Sequence, residues 1–217
     1  MDLKQELIAQ RIRSESSRDQ SQVNLMQAAT EALITHGVGK AALGVGDIIS
    51  AFQLPNAYGK SVDITDLLKN GPIIITFYRG SWCPYCNLEL RAYQSKIEEI
   101  HSYGAQVIAI SPELPDSSFS NTEKLVLSFE VLSDFGNVVA RKFGLVFKLP
   151  DNLVEVYKQL NSDITKHNGD DSWELPIPAT YVVGTDHRIT FAYANPDYLQ
   201  RVDPQQVVLS LADLANK

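Results

Sequence analysis

From residue 72 onward, short apolar runs alternate with segments of helical periodicity, the pattern of a mostly parallel sheet covered by helices. Residues 72–78 predict the first central strand, 106–110 a second and 129–132 a third. Residues 180–183 and 188–193 predict a hairpin turning at 185–187. Pro84 opens a helix that the periodicity carries to about residue 103, a second helix over 137–143 stops at Gly144, and Asp203-Pro204 opens a third with Val207, Val208, Leu211 and Leu214 on one side. Residues 150–177 break this rhythm. A short helix over 153–160 is followed by a polar, Asp-rich loop over 166–173, containing His167 and Trp173, which reads as surface; the whole is an insertion before the hairpin.

The first 36 residues carry apolar positions at helical spacing, Leu3, Leu7, Ile8 and Ile12, then Leu25, Met26, Ala29 and Leu33, and predict two short amphipathic helices. Residues 14–21 between them have nothing to bury, and Gly37, Gly39, Gly44 and Gly46 lead into the main domain. Residues 1–43 are therefore expected to be an N-terminal helical extension and not a core element, with 44–217 forming the domain. The arm is expected either to rest on its own domain or to join two copies in a homodimer.

Composition narrows the function. At 44% hydrophobic and 21% charged the chain is an ordinary globular protein, and 19 Lys and Arg against 26 Asp and Glu, without a basic cluster, argue against nucleic acid as a partner. Asp2, Lys4 and Glu6 occupy the place of a secretory leader's apolar core, and no run approaches the length of a membrane span. A cytoplasmic protein without a membrane partner is expected.

Only two cysteines are present, Cys83 and Cys86, in the order Trp82-Cys83-Pro84-Tyr85-Cys86. A disulfide scaffold is excluded by the count, and the four scattered histidines do not complete a zinc site. Pro84 suits the first position of a helix, so Cys83 falls at its cap, where exposed N–H groups and the helix dipole favour a thiolate. Cys86, Leu90, Tyr93, Ile97 and Ile100 recur at alternating steps of four and three, so Cys86 heads the buried stripe and is expected to be the less exposed thiol. Residues three apart on a helix are neighbours, and the pair is expected to cycle between dithiol and disulfide. Pro178, just before the hairpin strand, is either a plain strand-edge residue or the site of a cis Ile177–Pro178 bond that brings backbone against the cysteines.

These residues, together with Gly46-Asp47, Phe52-Gln53-Leu54, Phe77-Tyr78-Arg79-Gly80-Ser81, Ile110-Ser111-Pro112, Phe129 through Asp134, Phe143-Gly144 and Pro178 through Val183, resemble the AhpC/TSA peroxiredoxin-like proteins of the thioredoxin superfamily. The resemblance implies an α/β, thioredoxin-like fold, with a central mixed sheet flanked by helices. It also implies reduction of hydrogen peroxide or organic hydroperoxides by a cysteine that becomes a sulfenic acid, with a thioredoxin-like donor and no cofactor. The chain departs from the pattern. An ungapped peroxiredoxin register puts Arg79 on the family's proline, Cys83 on its threonine and Cys86 on its peroxidatic position, whereas a thioredoxin register makes Cys83 the nucleophile. Pro178 stands where peroxiredoxins carry a peroxide-orienting arginine, leaving Arg79 as the expected substitute, and Ser50 replaces another family proline. Trp82 and Tyr85 are expected to form an apolar rim beside the cysteines. The leading expectation is a thiol peroxidase with Cys83 and Cys86 catalytic and Arg79, Trp82 and Pro178 at the substrate. A protein disulfide reductase and a non-catalytic redox-sensing adaptor are the alternatives.

Overall fold

The computed structural model describes residues 2–160 and 163–215; positions 161–162 of the expected insertion and 216–217 at the end of the expected domain lie outside the described residues. Two helices come first, α1 (Leu3–Ser16) and α2 (Gln20–Thr35), followed by a small hairpin of β1 (Gln53–Pro55) and β2 (Ser61–Asp63), then α3 (Ile64–Leu68). The central layer is built from β3 (Ile73–Phe77), α4 (Pro84–Gln94), α5 (Ile97–Ser102), β4 (Gln106–Ser111), α6 (Pro115–Leu125), β5 (Glu130–Ser133) and α7 (Val138–Lys142). Next come β6 (Val146–Lys148), α8 (Asp151–Gln159), α9 (Ile164–Asn168) and β7 (Glu174–Pro176), and the chain closes with β8 (Ala179–Val183), β9 (Ile189–Ala194) and α10 (Pro204–Ala215).

Strand order in the main sheet is β5-β4-β3-β8-β9, with β3, β4 and β5 parallel and β8 and β9 antiparallel. All five residues of β3 are buried, because the sheet is covered on both faces. The two-residue strand period then divides the core. Ile74, Val107, Ala109, Val131 and Val182 face the layer of α4 and α10, while Ile73, Ile75, Phe77, Ile108, Ile110 and Tyr181 pack with Leu68 and Phe143 on the other side. The expected mixed sheet and its flanking helices are present.

Several local expectations change. The long helix after Pro84 is interrupted: the Ser95 hydroxyl donates to the Ala92 carbonyl at 2.8 Å, competing with the helical ladder, and Lys96 leaves helical geometry at φ −108°, ψ 5°. The helix expected from residue 137 begins at Val138, with Asn137 left-handed at φ 56°. The polar 166–173 segment is helical through Asn168, and all described peptide bonds are trans, so the cis alternative for Ile177–Pro178 is corrected. The β1–β2 hairpin and α3 had no counterpart in the hydrophobic pattern, because strands of three residues are too short to show a period.

The arm also differs from its expectation. Leu3 and Leu7 are 4% and 7% exposed and belong to the same cluster as Tyr85, Cys86 and Leu90, and Ser14, in the stretch with nothing apolar to bury, is itself buried. Helix α1 thus supplies part of the core over α4. We predict that Leu7→Ala lowers unfolding free energy by about 2–4 kcal/mol, whereas Ile8→Ala, on the 52% exposed face, changes it by less than about 0.5 kcal/mol. Urea denaturation measures both; equal effects would mean that α1 is not part of the core.

Candidate redox site

The site sits where β3 ends. Tyr78 hands the chain to a tight loop, Arg79-Gly80-Ser81-Trp82, and Cys83 then caps α4 with extended backbone (φ −90°, ψ 108°) ahead of Pro84. Gly80 has φ +145°, and a side chain there would place its Cβ 2.3 Å from the Trp82 indole nitrogen and 3.1 Å from the Glu113 carboxyl carbon, so only glycine lets the loop fold back. Glu113, fully buried just beyond β4, accepts hydrogen bonds from the Ser81 backbone N–H and hydroxyl, both at 2.7 Å, and the Asn87 side-chain amide donates to the Ser81 carbonyl at 2.8 Å. His167 of the insertion reaches the same carboxylate, Nδ1 to Oε1 3.1 Å. The loop is thereby tied to both the sheet and the insertion.

Both cysteines are free and buried, Cys83 at 2% and Cys86 at 0% exposure. Burial by itself raises the Cys83 thiol. The opposing effects win: a hydrogen bond from the Cys86 side chain, the positive charges of Arg79 and Arg201, and the Cys86 backbone N–H bring Cys83 down to about 6. Cys86 moves the other way, raised well above the ordinary thiol value by burial and by the neighbouring Cys83 sulfur. The pair is thus polarised, with one sulfur anionic at neutral pH and the other a thiol.

Arg79 is 3% exposed. Its Nη2 donates to the Tyr157 hydroxyl, and its guanidinium carbon lies 5.0, 5.6 and 4.5 Å from the ring centres of Trp82, Tyr157 and Tyr198. Among the described residues no carboxylate pairs with it. Burial opposes its charge, but the Tyr157 hydroxyl and the two cysteine sulfurs outweigh that penalty and keep it protonated. Its Nε is buried without a partner. A cavity beside it reaches Cys83 between Trp82, Tyr85, Tyr157 and Tyr198. Pro178, expected against the cysteines, instead lines an adjoining cavity on Arg79.

Arg201, in the loop before α10, bonds Glu89 at 2.7 Å with both side chains buried, and its Nη2 lies 3.5 Å from the Cys86 sulfur. Neither residue was singled out from sequence, although Glu89, three residues after Cys86, is a charge on the buried stripe of α4 and so a visible anomaly. Tyr157, Tyr198, Glu113 and Arg201 carried no local signal, since they reach the site only through the fold. Among the described residues no group of three or more His, Cys, Asp or Glu could hold a metal, and no helix is long and apolar enough to cross a membrane.

Glu89 yields a test. Burial raises its carboxyl to about 7, with Arg201 pulling down and Cys86 pushing up. A carboxyl raised in the folded state contributes stability at acid pH that is lost as pH rises through the folded value. Stability measured relative to Glu89→Gln should therefore fall by about 3 kcal/mol between about pH 4.5 and pH 7. Urea midpoints across that range measure it, and a constant difference would contradict the buried carboxyl.

The geometry can be set beside known proteins. The family model described as AhpC/TSA family matches residues 45–192. A putative peroxiredoxin bcp of Buchnera aphidicola is 33% identical over 100 residues, 46% of this chain and 63% of that protein. Peroxiredoxin Bcp of Escherichia coli is 30% identical over 103 residues, 48% and 65%. The chain spans just under two thirds of the length of these relatives. Peroxidoxin BcpB from Mycobacterium tuberculosis superposes with TM-score 0.63 at 20% identity, covering 79% of this chain and 98% of that one, and PrxQ from Xylella fastidiosa with 0.61 at 17% identity, covering 80% and 96%. At such identities these structures speak for the fold alone, which is thioredoxin-like, as the strand order and helical layers already indicate. With the family model covering more than half of its length, the chain belongs to the AhpC/TSA family.

Proposed function

We propose that the protein is a thiol-dependent peroxidase that reduces hydroperoxides through a Cys83/Cys86 dithiol–disulfide cycle. The observation that carries this reading is a Cys83 thiolate at a cavity beside a buried arginine that, among the described residues, has no carboxylate partner. Family membership supports it, and a structural neighbour, the bacterioferritin comigratory protein of Xanthomonas campestris, has alkyl peroxide reduction activity.

The Cys83 thiolate attacks one oxygen of the hydroperoxide. The S–O bond forms as the O–O bond breaks, leaving Cys83 sulfenic acid and an alkoxide or hydroxide that takes a proton and departs as alcohol or water. Arg79 faces the developing charge, since its guanidinium lines the cavity of the reacting sulfur and its Nε has no partner to give up. It thereby takes the role left vacant by Pro178. Cys86 then attacks the Cys83 sulfur, water leaves, and a disulfide forms. Arg201, 3.5 Å from the Cys86 sulfur, stabilises that thiol as it loses its proton. A thioredoxin-type dithiol returns two electrons and restores both thiols, which suits a reducing compartment such as the cytoplasm.

A protein disulfide reductase needs its nucleophile within reach of another protein's disulfide. The 2% exposure of Cys83 weighs against that alternative.

Cys83→Ser should abolish peroxide consumption, while Cys86→Ser should complete one turnover and stop as a sulfenic acid trappable by dimedone. Mass spectrometry after one equivalent of peroxide checks both. Full activity in Cys83→Ser with loss in Cys86→Ser would move the peroxidatic role to Cys86, and peroxide consumption unaltered by either change would overturn the reading.

A further inference from the structure

Cys83 shares its cavity with a second guanidinium. The space beside the sulfur amounts to about 50 Å3 and is lined both by Arg79 and by Arg18, which lies in the turn between α1 and α2. The rest of the wall is aromatic and aliphatic side chain, and among the described residues no carboxylate borders it. Like Arg79, Arg18 has a buried Nε without a hydrogen-bond partner. Among the described residues Arg11, Arg141, Arg188 and Arg201 form ion pairs, and Arg18 does not. A buried N–H left unpaired costs free energy, so two such donors bordering one space point to an acceptor that comes from outside the chain.

Charge fixes the sign of that acceptor. The Cys83 thiolate offsets one of the two guanidinium groups, Arg201 is already paired with Glu89 at 2.7 Å, and one positive charge is left over. A hydroperoxide is neutral and does not balance it. Size then narrows the class. A single water needs at least about 10–15 Å3, so the cavity takes about four water-sized groups, which suits an ion of the bulk of phosphate and excludes an aromatic or nucleotide ligand. The adjoining groove, which also contains Arg18, Tyr85 and Tyr198, carries Glu15, Glu31 and Asp197. A larger polyanion would have to lie against those acids, and like charges repel it.

We propose that Arg18 and Arg79 together form a binding site for a small inorganic oxyanion beside Cys83. The inference goes beyond the peroxidase reading and does not depend on it. Guanidinium groups hold oxyanions through forked N–H donors, and here two of them border a space of matching size. Arg18 lies outside residues 45–192, which match the family model, so this half of the site belongs to the N-terminal arm. An anion seated there covers the Cys83 sulfur and occupies the guanidinium that a peroxide would use. Bound anion therefore restrains the redox centre, and its exchange releases it.

The test follows alkylation of Cys83 in the reduced full chain by iodoacetamide, a neutral reagent, with mass spectrometry reading the modified residue. Inorganic phosphate is raised while chloride holds the ionic strength constant. In the wild type, phosphate should slow alkylation saturably. Arg18→Gln should raise the half-protecting concentration by at least about tenfold, the usual worth of a hydrogen bond to a charged group. Arg18→Lys, which keeps the charge without the fork, should fall between the two. Arg18→Met decides should Arg18→Gln fail to fold. Alkylation indifferent to phosphate in the wild type, or the same half-protecting concentration in the wild type and a folded neutral variant, overturns the site. Protection that depends on Arg18, in a protein that consumes no peroxide, keeps the anion site and removes the peroxidase reading instead.

Discussion

The site is organised around one electrostatic problem, a guanidinium buried to 3% exposure with no carboxylate beside it among the described residues. A bare buried charge is expensive, and proteins tolerate one only when something else compensates it. Here the compensation is divided. Three aromatic rings offer their electron-rich faces, the Tyr157 hydroxyl accepts one hydrogen bond, and the Cys83 sulfur supplies the counter-charge. The same interaction read from the other side helps form the thiolate: a sulfur that burial alone would keep neutral is drawn to its anion by the hydrogen bond from Cys86 and then by the charges of Arg79 and Arg201. Nucleophile and charge stabiliser are two halves of one pair.

The rest of the local fold keeps that pair in place. The loop carrying Arg79 doubles back only because Gly80 has no side chain, and it is pinned through Ser81 to Glu113, at the end of a different strand. His167 brings the insertion to the same carboxylate, while Tyr157 of α8 and Met26 of α2 close the cavity above. Segments peripheral in sequence are therefore walls of the site. Beneath it, the buried Arg201–Glu89 pair steadies Cys86, so two arginines address two sulfurs: Arg79 lies near both, and Arg201 contacts Cys86 directly.

How much of this could be read beforehand follows from the range of each interaction. The strands of the main sheet announced themselves as apolar runs, since burial on both faces writes continuously into sequence. Pro84 disclosed the cap position of Cys83 because the signal lies in adjacent residues. Arg79 was reachable through its place in a motif. Tyr157, Tyr198 and Arg201 were not, for each meets the cysteines after a separation of more than seventy residues, and no periodicity encodes that. The N-terminal arm was undervalued for a related reason: its polar composition describes the solvent face of α1, whereas two leucines on the other face settle its packing. Glu89 was the legible exception that went unread, an acid set in an apolar stripe whose partner lay far along the chain.

The central claim is that Arg79 and the Cys83 thiolate hold each other charged. Titrating thiolate ultraviolet absorbance in Cys86→Ser and in Cys86→Ser with Arg79→Met isolates Cys83 and tests that coupling directly. The account predicts that Cys83 titrates well below the ordinary thiol value of about 8.5 with Arg79 present, and that its midpoint rises by more than about one pH unit when the guanidinium is replaced by a neutral side chain of similar length. Coincident titration curves would contradict it.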